Sequence, residues 1–421
     1  MTRSQMKTER GKDKETERSW RLMEPWKRTM WILWFGVLFC SASYTMSIPF
    51  LPLFLYELGV EKSSINLWAG VVHSSAFLMG AIMAPLWGMM ADKFGKRKMV
   101  IRAGFSLAII YALIAFVQTP WQLVGVRMLH GFVGGFVPAS MSIVATLAPK
   151  EKLGWSLGVM QAGSMTGGIL GPLFGGLLSE AFGMRRSFVV AGIVIFIAAL
   201  AVVFWVREGS PQVKKEKPKV QPVTYRMAFR NRSLVNMLLV LVMFQLSFNM
   251  IQPQLSLHIA DLQGGQKGAV MSAGLVLSLI GIAGIVASPI WGRLGEKKGY
   301  YRILVFCLLS AGTIVSMQFF VETLWLFAVV QFMFGLFMAG VTPIVNTLMV
   351  QGTDEQFRGR SFGLTASANQ FGSMLGPLIG GLVGVALGLQ WIFVGTGVIM
   401  AGIGLVLFLK RKSMQRVGSE S

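Results

Sequence analysis

The chain alternates long apolar runs with short, mostly basic polar connections. Twelve runs are long enough to cross a hydrocarbon core: 29–57, 66–91, 99–117, 121–147, 155–180, 187–206, 233–260, 268–292, 301–320, 323–350, 360–386 and 390–409. A crossing takes about 20 helical residues. Lipid offers no partner to backbone amides, so each run is predicted to be a helix that closes its own hydrogen bonds. A polar stretch interrupts the series after the sixth run, with Lys214, Lys215, Lys217 and Lys219 among Pro211, Pro218 and Pro222. The expected organisation is a tail (1–28), a six-helix bundle (29–206), a linker (207–232), a second six-helix bundle (233–410) and a tail (411–421). The fold class that follows is an all-α membrane protein.

The two halves repeat one another. Ala84-Pro85-Leu86-Trp87-Gly88-Met89-Met90-Ala91-Asp92-Lys93-Phe94-Gly95 has its counterpart in Ser288-Pro289-Ile290-Trp291-Gly292-Arg293-Leu294-Gly295-Glu296-Lys297-Lys298-Gly299, displaced by 204 positions. Gly154-Trp155-Ser156-Leu157-Gly158 matches Gly359-Arg360-Ser361-Phe362-Gly363 at 205, and Leu170–Gly176 matches Leu375–Gly381 at the same offset. Pro49 pairs with Pro253 at 204 and Pro138 with Pro343 at 205. A register that slips by one residue over half the chain is the mark of duplication. The copies are unequal in chemistry: Asp92, Lys96 and Arg97 face Glu296, Tyr300 and Tyr301 in the second.

Composition supports the membrane reading. Hydrophobic residues make up 54% and charged residues 14%, against about 25% charged in soluble domains, and the mean hydropathy is +0.61. The net charge of +21 at first suggests nucleic acid, but its placement excludes that partner. Of 39 Lys and Arg, 34 fall in alternate connections and termini and 4 in the others, with Arg127 alone inside a run. That asymmetry predicts both termini on the cytoplasmic side and basic loops against anionic lipid. Met1 to Arg28 is too charged, and the run behind it too long, for a cleaved signal peptide. Cys40 and Cys307 lie within apolar runs, so no disulfide or metal framework is expected, and no cofactor. No nucleophile–base set, metal-ligand spacing or phosphate-binding loop points to an enzyme.

Several segments resemble the major facilitator superfamily, whose two parallel repeats are related by an axis along the membrane normal. Gly88–Lys98 resembles its loop signature between helices two and three. Leu123–Gly131 looks like its fourth-helix motif, with Arg127 at the arginine position and His130 where glutamine is usual. Gly167–Gly176 is similar to the fifth-helix motif of the drug:proton antiporters, and Ile48-Pro49-Phe50-Leu51-Pro52 resembles their first-helix ending. The resemblance covers about residues 29–410. It implies a monomeric secondary exporter in a bacterial plasma membrane, moving small hydrophobic or amphipathic substrates against protons by alternating access. It also implies that Gly88, Asp92, Gly95, Lys96 and Arg97 latch the halves in the outward-open state. For Gly163, Gly167, Gly171, Pro172, Gly175 and Gly176 it implies a seal on the extracellular side. The residues themselves show a glycine at every fourth place on one helix face, the geometry of close packing, with Gly372, Gly376, Gly380 and Gly384 as the second copy.

Arg127 is costly inside a membrane, about 2.5 kcal/mol or more, and needs a partner or a wet cavity. The resemblance implies a part in proton coupling; a structural charge held by carbonyls is the other reading. His130 lies one turn on, on the same face, and His130 and His73 are each either a hydrogen-bonder or a proton carrier. Many antiporters of this family hold a carboxylate deep in the cavity, and this chain does not. Glu57, Glu180, Asp261 and Glu322 all map to the outer ends of runs. Glu57 and Asp261 align at the 204 offset and are expected to face each other across the outer mouth, one of them, with His73 or His130, carrying the coupling proton. The cavity is expected to be lined by Tyr44, Gln161, Gln245, Asn249, Asn346, Asn369 and Gln370 among Met and Phe, the 27 methionines giving adaptable surface. A lipid or glycolipid flippase of the same fold is the alternative function, and a receptor without transport a more distant one.

Overall fold

The structure, a computed structural model, describes residues 24–149, 152–206, 232–351 and 358–415. The linker, the first 23 residues and the last six therefore lie outside the described residues, apart from Arg232 at the linker's end. Fifteen α-helices run in chain order: α1 (Pro25–Glu57), α2 (Ile65–Phe94), α3 (Lys96–Ile114), α4 (Pro120–Val133), α5 (Phe136–Leu147), α6 (Leu153–Phe182), α7 (Met184–Trp205), α8 (Arg232–Ile251), α9 (Leu255–Leu262), α10 (Ala269–Lys298), α11 (Tyr300–Met317), α12 (Leu324–Met338), α13 (Val341–Gln351), α14 (Arg358–Ala386) and α15 (Leu389–Gln415). No strand occurs among the described residues.

Three spans are broken helices, so the fifteen make twelve crossings. The fourth, α4–α5, breaks at Gly134-Gly135, where Gly135 takes φ +114. The tenth, α12–α13, breaks at Ala339-Gly340. The seventh, α8–α9, breaks around Pro253, which has no amide to donate; its repeat mate Pro49 is accommodated inside the continuous α1. Nine crossings are long and apolar enough to be read as membrane spans from length and composition alone. The others are α3, which begins with Lys96, Arg97 and Lys98, and the glycine-rich α6 and α14. Their lengths of 19, 30 and 29 residues match a bilayer, and their lower hydropathy reflects charge and small side chains rather than a different placement.

The glycine register becomes packing. A Cβ on Gly167, Gly171 or Gly175 would strike Leu38, Ala42 and Thr45, or Met46 on α1. A Cβ on Gly372, Gly376 or Gly380 would strike Val242, Leu246 or Met250 on α8. These targets repeat the first set at 204, so one backbone-to-backbone seam is built twice. Two core clusters follow, one centred on Val37, Phe50, Phe54, Tyr111 and Phe188, the other on Leu241, Phe244, Leu304, Phe327 and Phe393.

Local chemistry fixes the helix ends. Thr119 begins α4 with a reciprocal cap: its Oγ1 accepts from Gln122 N at 3.3 Å, and Gln122 Oε1 accepts from Thr119 N at 3.3 Å. Gly95 and Gly299, both at positive φ (+98 and +92), turn α2 into α3 and α10 into α11. Only glycine takes that conformation at low cost.

Candidate functional site

The halves meet along two crossings, α2 with α14 and α6 with α10. The contacts obey the pseudo-two-fold to the atom. Ser74 Oγ donates to Met374 O at 2.6 Å, and its mate Ser278 Oγ donates to Ile169 O at 2.6 Å. Gly70 lies against the Pro377 carbonyl and Gly274 against that of Pro172; Gly381 meets Leu67 and Gly176 meets Met271. Thus Gly167, Gly171 and Gly175 pack α6 within its own half, while Gly176 and the Pro172 carbonyl face the other half.

These contacts cluster toward one end. There Gln254 Nε2 donates to Asn66 O at 3.0 Å, and Lys62 Nζ bonds Asp261 Oδ1 at 2.9 Å, both across the halves. Toward the basic end Gly88, Gly154, Gly158 and Gly292 have nothing within 4 Å of a built Cβ. Between the two ends lies a cavity of about 780 Å³ whose lining includes Tyr44, Phe77, Trp87, Arg102, His130 and Gln370, and which reaches Gly88, Ala91 and Met99 at the basic end.

The floor of the cavity is a polar cluster in the first half. Arg127, 1% exposed, holds its guanidinium 6.0 Å from the centroid of Tyr44. Tyr44 stacks on His130 at 5.7 Å, and Tyr111 meets the same imidazole edge-on at 5.6 Å. Arg127 Nε and Nη1, Tyr111 OH and His73 Nε2 are buried without hydrogen-bond partners, while His73 Nδ1 lies 3.1 Å from Ala69 O. No ion pair to Arg127 occurs among the described residues.

The break in the fourth span supplies a second cation. Interrupting α4 frees its last carbonyls, and Arg102 Nη2 takes Val133 O at 3.2 Å and Gly134 O at 3.0 Å. The same guanidinium lies 3.4 Å over the ring of Trp87, whose Nε1 donates to Phe132 O at 2.5 Å. The second half repeats the tryptophan bond, Trp291 Nε1 to Leu336 O at 2.7 Å, but has Phe306 in place of Arg102. Arg102 was hidden in the sequence among the basic residues that open α3. Its mismatch with Phe306 was the available signal.

Of the seven expected cavity residues, Tyr44 and Gln370 line this cavity. Asn249 instead bridges helices, donating to Gln245 O at 2.8 Å and Ser373 Oγ at 3.2 Å. Gln161 is exposed, Gln245 is half-buried, and Asn346 and Asn369 each keep a buried Oδ1 without a partner; none of the four lines the cavity. In the loop signature, Gly88 stands at the cavity mouth and Gly95 makes the turn. Lys96 Nζ donates to Ser142 O at 3.2 Å and Thr146 Oγ1 at 2.6 Å, and Arg97 Nη2 to Val203 O at 2.6 Å. Arg97 therefore caps α7 within its own half, and its mate Tyr301 bonds Leu407 O within α15. Asp92 lies on α2, with its side chain outside the described residues. Glu57 and Asp261 each hold a different cation rather than a shared site: Glu57 lies 3.8 Å from Arg185 Nε, and Asp261 pairs with Lys62. The third histidine, His258, is buried between Phe327 and Phe393.

Known proteins resemble the chain over nearly its whole length. The Major Facilitator Superfamily profile matches residues 33–316 and 237–421. The chain is 34% identical over 400 residues to multidrug resistance protein MdtG of Dickeya zeae, covering 94% of this chain and 98% of that one. It is 34% identical over 385 residues to MdtG of Salmonella paratyphi A, covering 91% and 94%. Among solved structures, a bacterial homologue of the human lysosomal transporter Spinster, in an inward-facing and occupied conformation, superposes with a TM-score of 0.78 at 14% identity, covering 93% and 98%. The nucleoside transporter NupG superposes at 0.76, also at 14% identity, covering 90% and 100%. Repeat, fold and relatives agree: the chain belongs to the major facilitator superfamily and is a multi-pass membrane transporter, not an enzyme.

Proposed function

We propose that the chain exports small hydrophobic or amphipathic molecules from the bacterial cytoplasm, coupled to protons by alternating access. One observation carries it: a large, mostly apolar cavity in the first half that meets the second half at Gln370 and reaches the basic end, while the halves are tied together at the other. The positive-inside asymmetry makes the basic end cytoplasmic, with both termini there, so the conformation is inward-open. Relatives that carry the name multidrug resistance protein favour several structurally loose substrates. Rocking the halves would break the Ser74 and Ser278 bonds, close the basic end, bring the Gly88–Arg97 loop against the second half, and part Lys62 from Asp261.

Asp261 and Glu57, two of the carboxylates at the outer end, are the proton-carrying candidates, with Arg127 and His130 biasing the inner cavity. One charge moving through about 100 mV yields about 2.3 kcal/mol, enough for a concentration ratio of about 1.7 decades. The test is flux in proteoliposomes holding the purified chain. Efflux of hydrophobic dyes that follows an imposed pH gradient, and loses that dependence when Glu57→Gln and Asp261→Asn are combined, supports the reading. Gradient-independent scrambling of fluorescent lipid with no dye flux would replace it by a flippase.

A further inference from the structure

The lining of the cavity has a sign. Arg102, half-buried, lines it directly, with Nη2 on two carbonyls, one face on the Trp87 ring and Nε without a hydrogen-bond partner. Arg127 stands one aromatic ring deeper, behind Tyr44 and His130, with two of its nitrogens unpartnered. No carboxylate is among the described residues that line the cavity, and no ion pair to either arginine occurs among the described residues. Guanidinium stays charged at any accessible pH. A buried cation without a counter-ion is unfavourable, so an incoming anion would relieve the site and an incoming cation would add to the repulsion.

The corresponding place in the second half sharpens this. At the 204 offset Tyr44, His73, Arg127 and His130 become Phe248, Leu277, Gln331 and Phe334. Those four line a cavity of only about 10 Å³, and Gln331 is bonded to Gln318 at 3.3 Å. The fold does not require a charge here, because the second half builds the same position neutral and closed. The first half keeps the charge beside the open cavity.

Resting on the exporter reading above, we propose that the cavity selects amphipathic organic anions. The carboxylate or sulfonate head lies within the field of Arg102 and Arg127, near Tyr44 and His130, and the hydrophobic body lies along the Phe77 side. Arg102 is placed to touch the head group. Arg127 is a positioning residue that acts through the potential behind the aromatic pair.

Three pyrene probes with one body test this: pyrenebutanoate, pyrenebutanol and pyrenebutyl-trimethylammonium. They are titrated by fluorescence against the full chain in phosphatidylcholine nanodiscs, with empty nanodiscs subtracted. The carboxylate is expected to bind about tenfold tighter than the ammonium, with the alcohol between them. Arg102→Gln and Arg127→Gln should each shrink that ratio to about threefold or less, whereas Arg127→Lys should keep most of the ratio. Equal binding of the two ions, or tighter ammonium binding, overturns the proposal; so does a ratio that neither Gln variant moves. If one Gln variant fails to fold, the wild-type ratio and the other variant decide. Binding is read without transport. Anion preference with no gradient-driven flux would keep this inference and sink the exporter reading, and driven flux of the ammonium without anion preference would do the reverse.

Discussion

Five positions in the first half, Tyr44, His73, Tyr111, Arg127 and His130, make one buried cluster. Their mates 204 residues on are Phe248, Leu277, Val315, Gln331 and Phe334. The helices that carry the two sets are packed alike: the same glycine seams, the same tryptophan bonds to the fourth and tenth spans, the same serine bonds across the halves. Duplication has thus preserved these backbone approaches and left the polar chemistry free to diverge. Packing tolerates little change, because a methyl in a closed seam has nowhere to go. A side chain facing a cavity meets no such constraint. The second half acts as a built-in control, showing what the fold needs when the chemistry is removed.

The largest effects should come from breaking the shared packing, and they should be equal in the two halves. Gly171→Leu and Gly376→Leu each drive a side chain into a neighbouring carbonyl; each is expected to cost about 3 kcal/mol and to abolish folded protein in a detergent melting assay. Gly158→Leu, facing open space, should be nearly silent. Damage confined to one half would break the symmetry of the seams.

Next comes the one helix break that the halves stabilise differently. Arg102→Ala leaves the Val133 and Gly134 carbonyls unpaired and unstacks Trp87, a loss of about 2 kcal/mol. Phe306→Ala removes a half-exposed ring and should cost about 1 kcal/mol or less. Thermal melts of the two variants rank the contributions; the reverse order would show that Arg102 is dispensable to the break.

Ser74→Ala and Ser278→Ala each remove one bond between the halves, about 1 kcal/mol, and so favour the state open at the far end by about fivefold. The readout is labelling of an Ala84→Cys probe by an impermeant thiol reagent, with Cys40 and Cys307 replaced. Both serine variants should slow labelling from the basic end to the same degree. Unequal slowing would mean that the halves do not pivot symmetrically.

The smallest effect belongs to the exposed Lys62–Asp261 pair, about 0–1 kcal/mol. Its hydrogen bond and charge raise the lysine above its ordinary value of 10.5. A raised lysine contributes stability fully below its unfolded value and loses it as pH climbs through the folded one. From the Lys62 side the tie should therefore hold through neutral pH and weaken only above about 10.5, and Asp261→Asn should return Lys62 to ordinary reactivity in pH-dependent amine labelling.

Most of the helical layout was legible in the sequence, because a bilayer demands about 20 apolar residues per crossing and the repeat sets the register. The seams were legible too: a glycine every fourth residue can serve only close approach. The cavity was not. Gln161, Gln245, Asn249, Asn346 and Asn369 were expected to line it and are placed elsewhere. Hydropathy does not say which face of a membrane helix turns inward, since lipid, core and cavity wall are all largely apolar here. Arg102 looked like one more basic residue at a loop, and only the break after Val133 gives it carbonyls to hold.

By itself, then, the sequence determined the class of fold, the duplication, the helices that pack backbone to backbone and the absence of a carboxylate deep in any span. Each of those depends on residue type and spacing along one chain. The tertiary structure alone decided which end is tied, that Glu57 and Asp261 hold separate cations, and that Arg102 lines a cavity with Arg127 buried behind its wall. Those depend on how helices far apart in sequence rotate against one another, and that rotation is set by packing, which no single helix records.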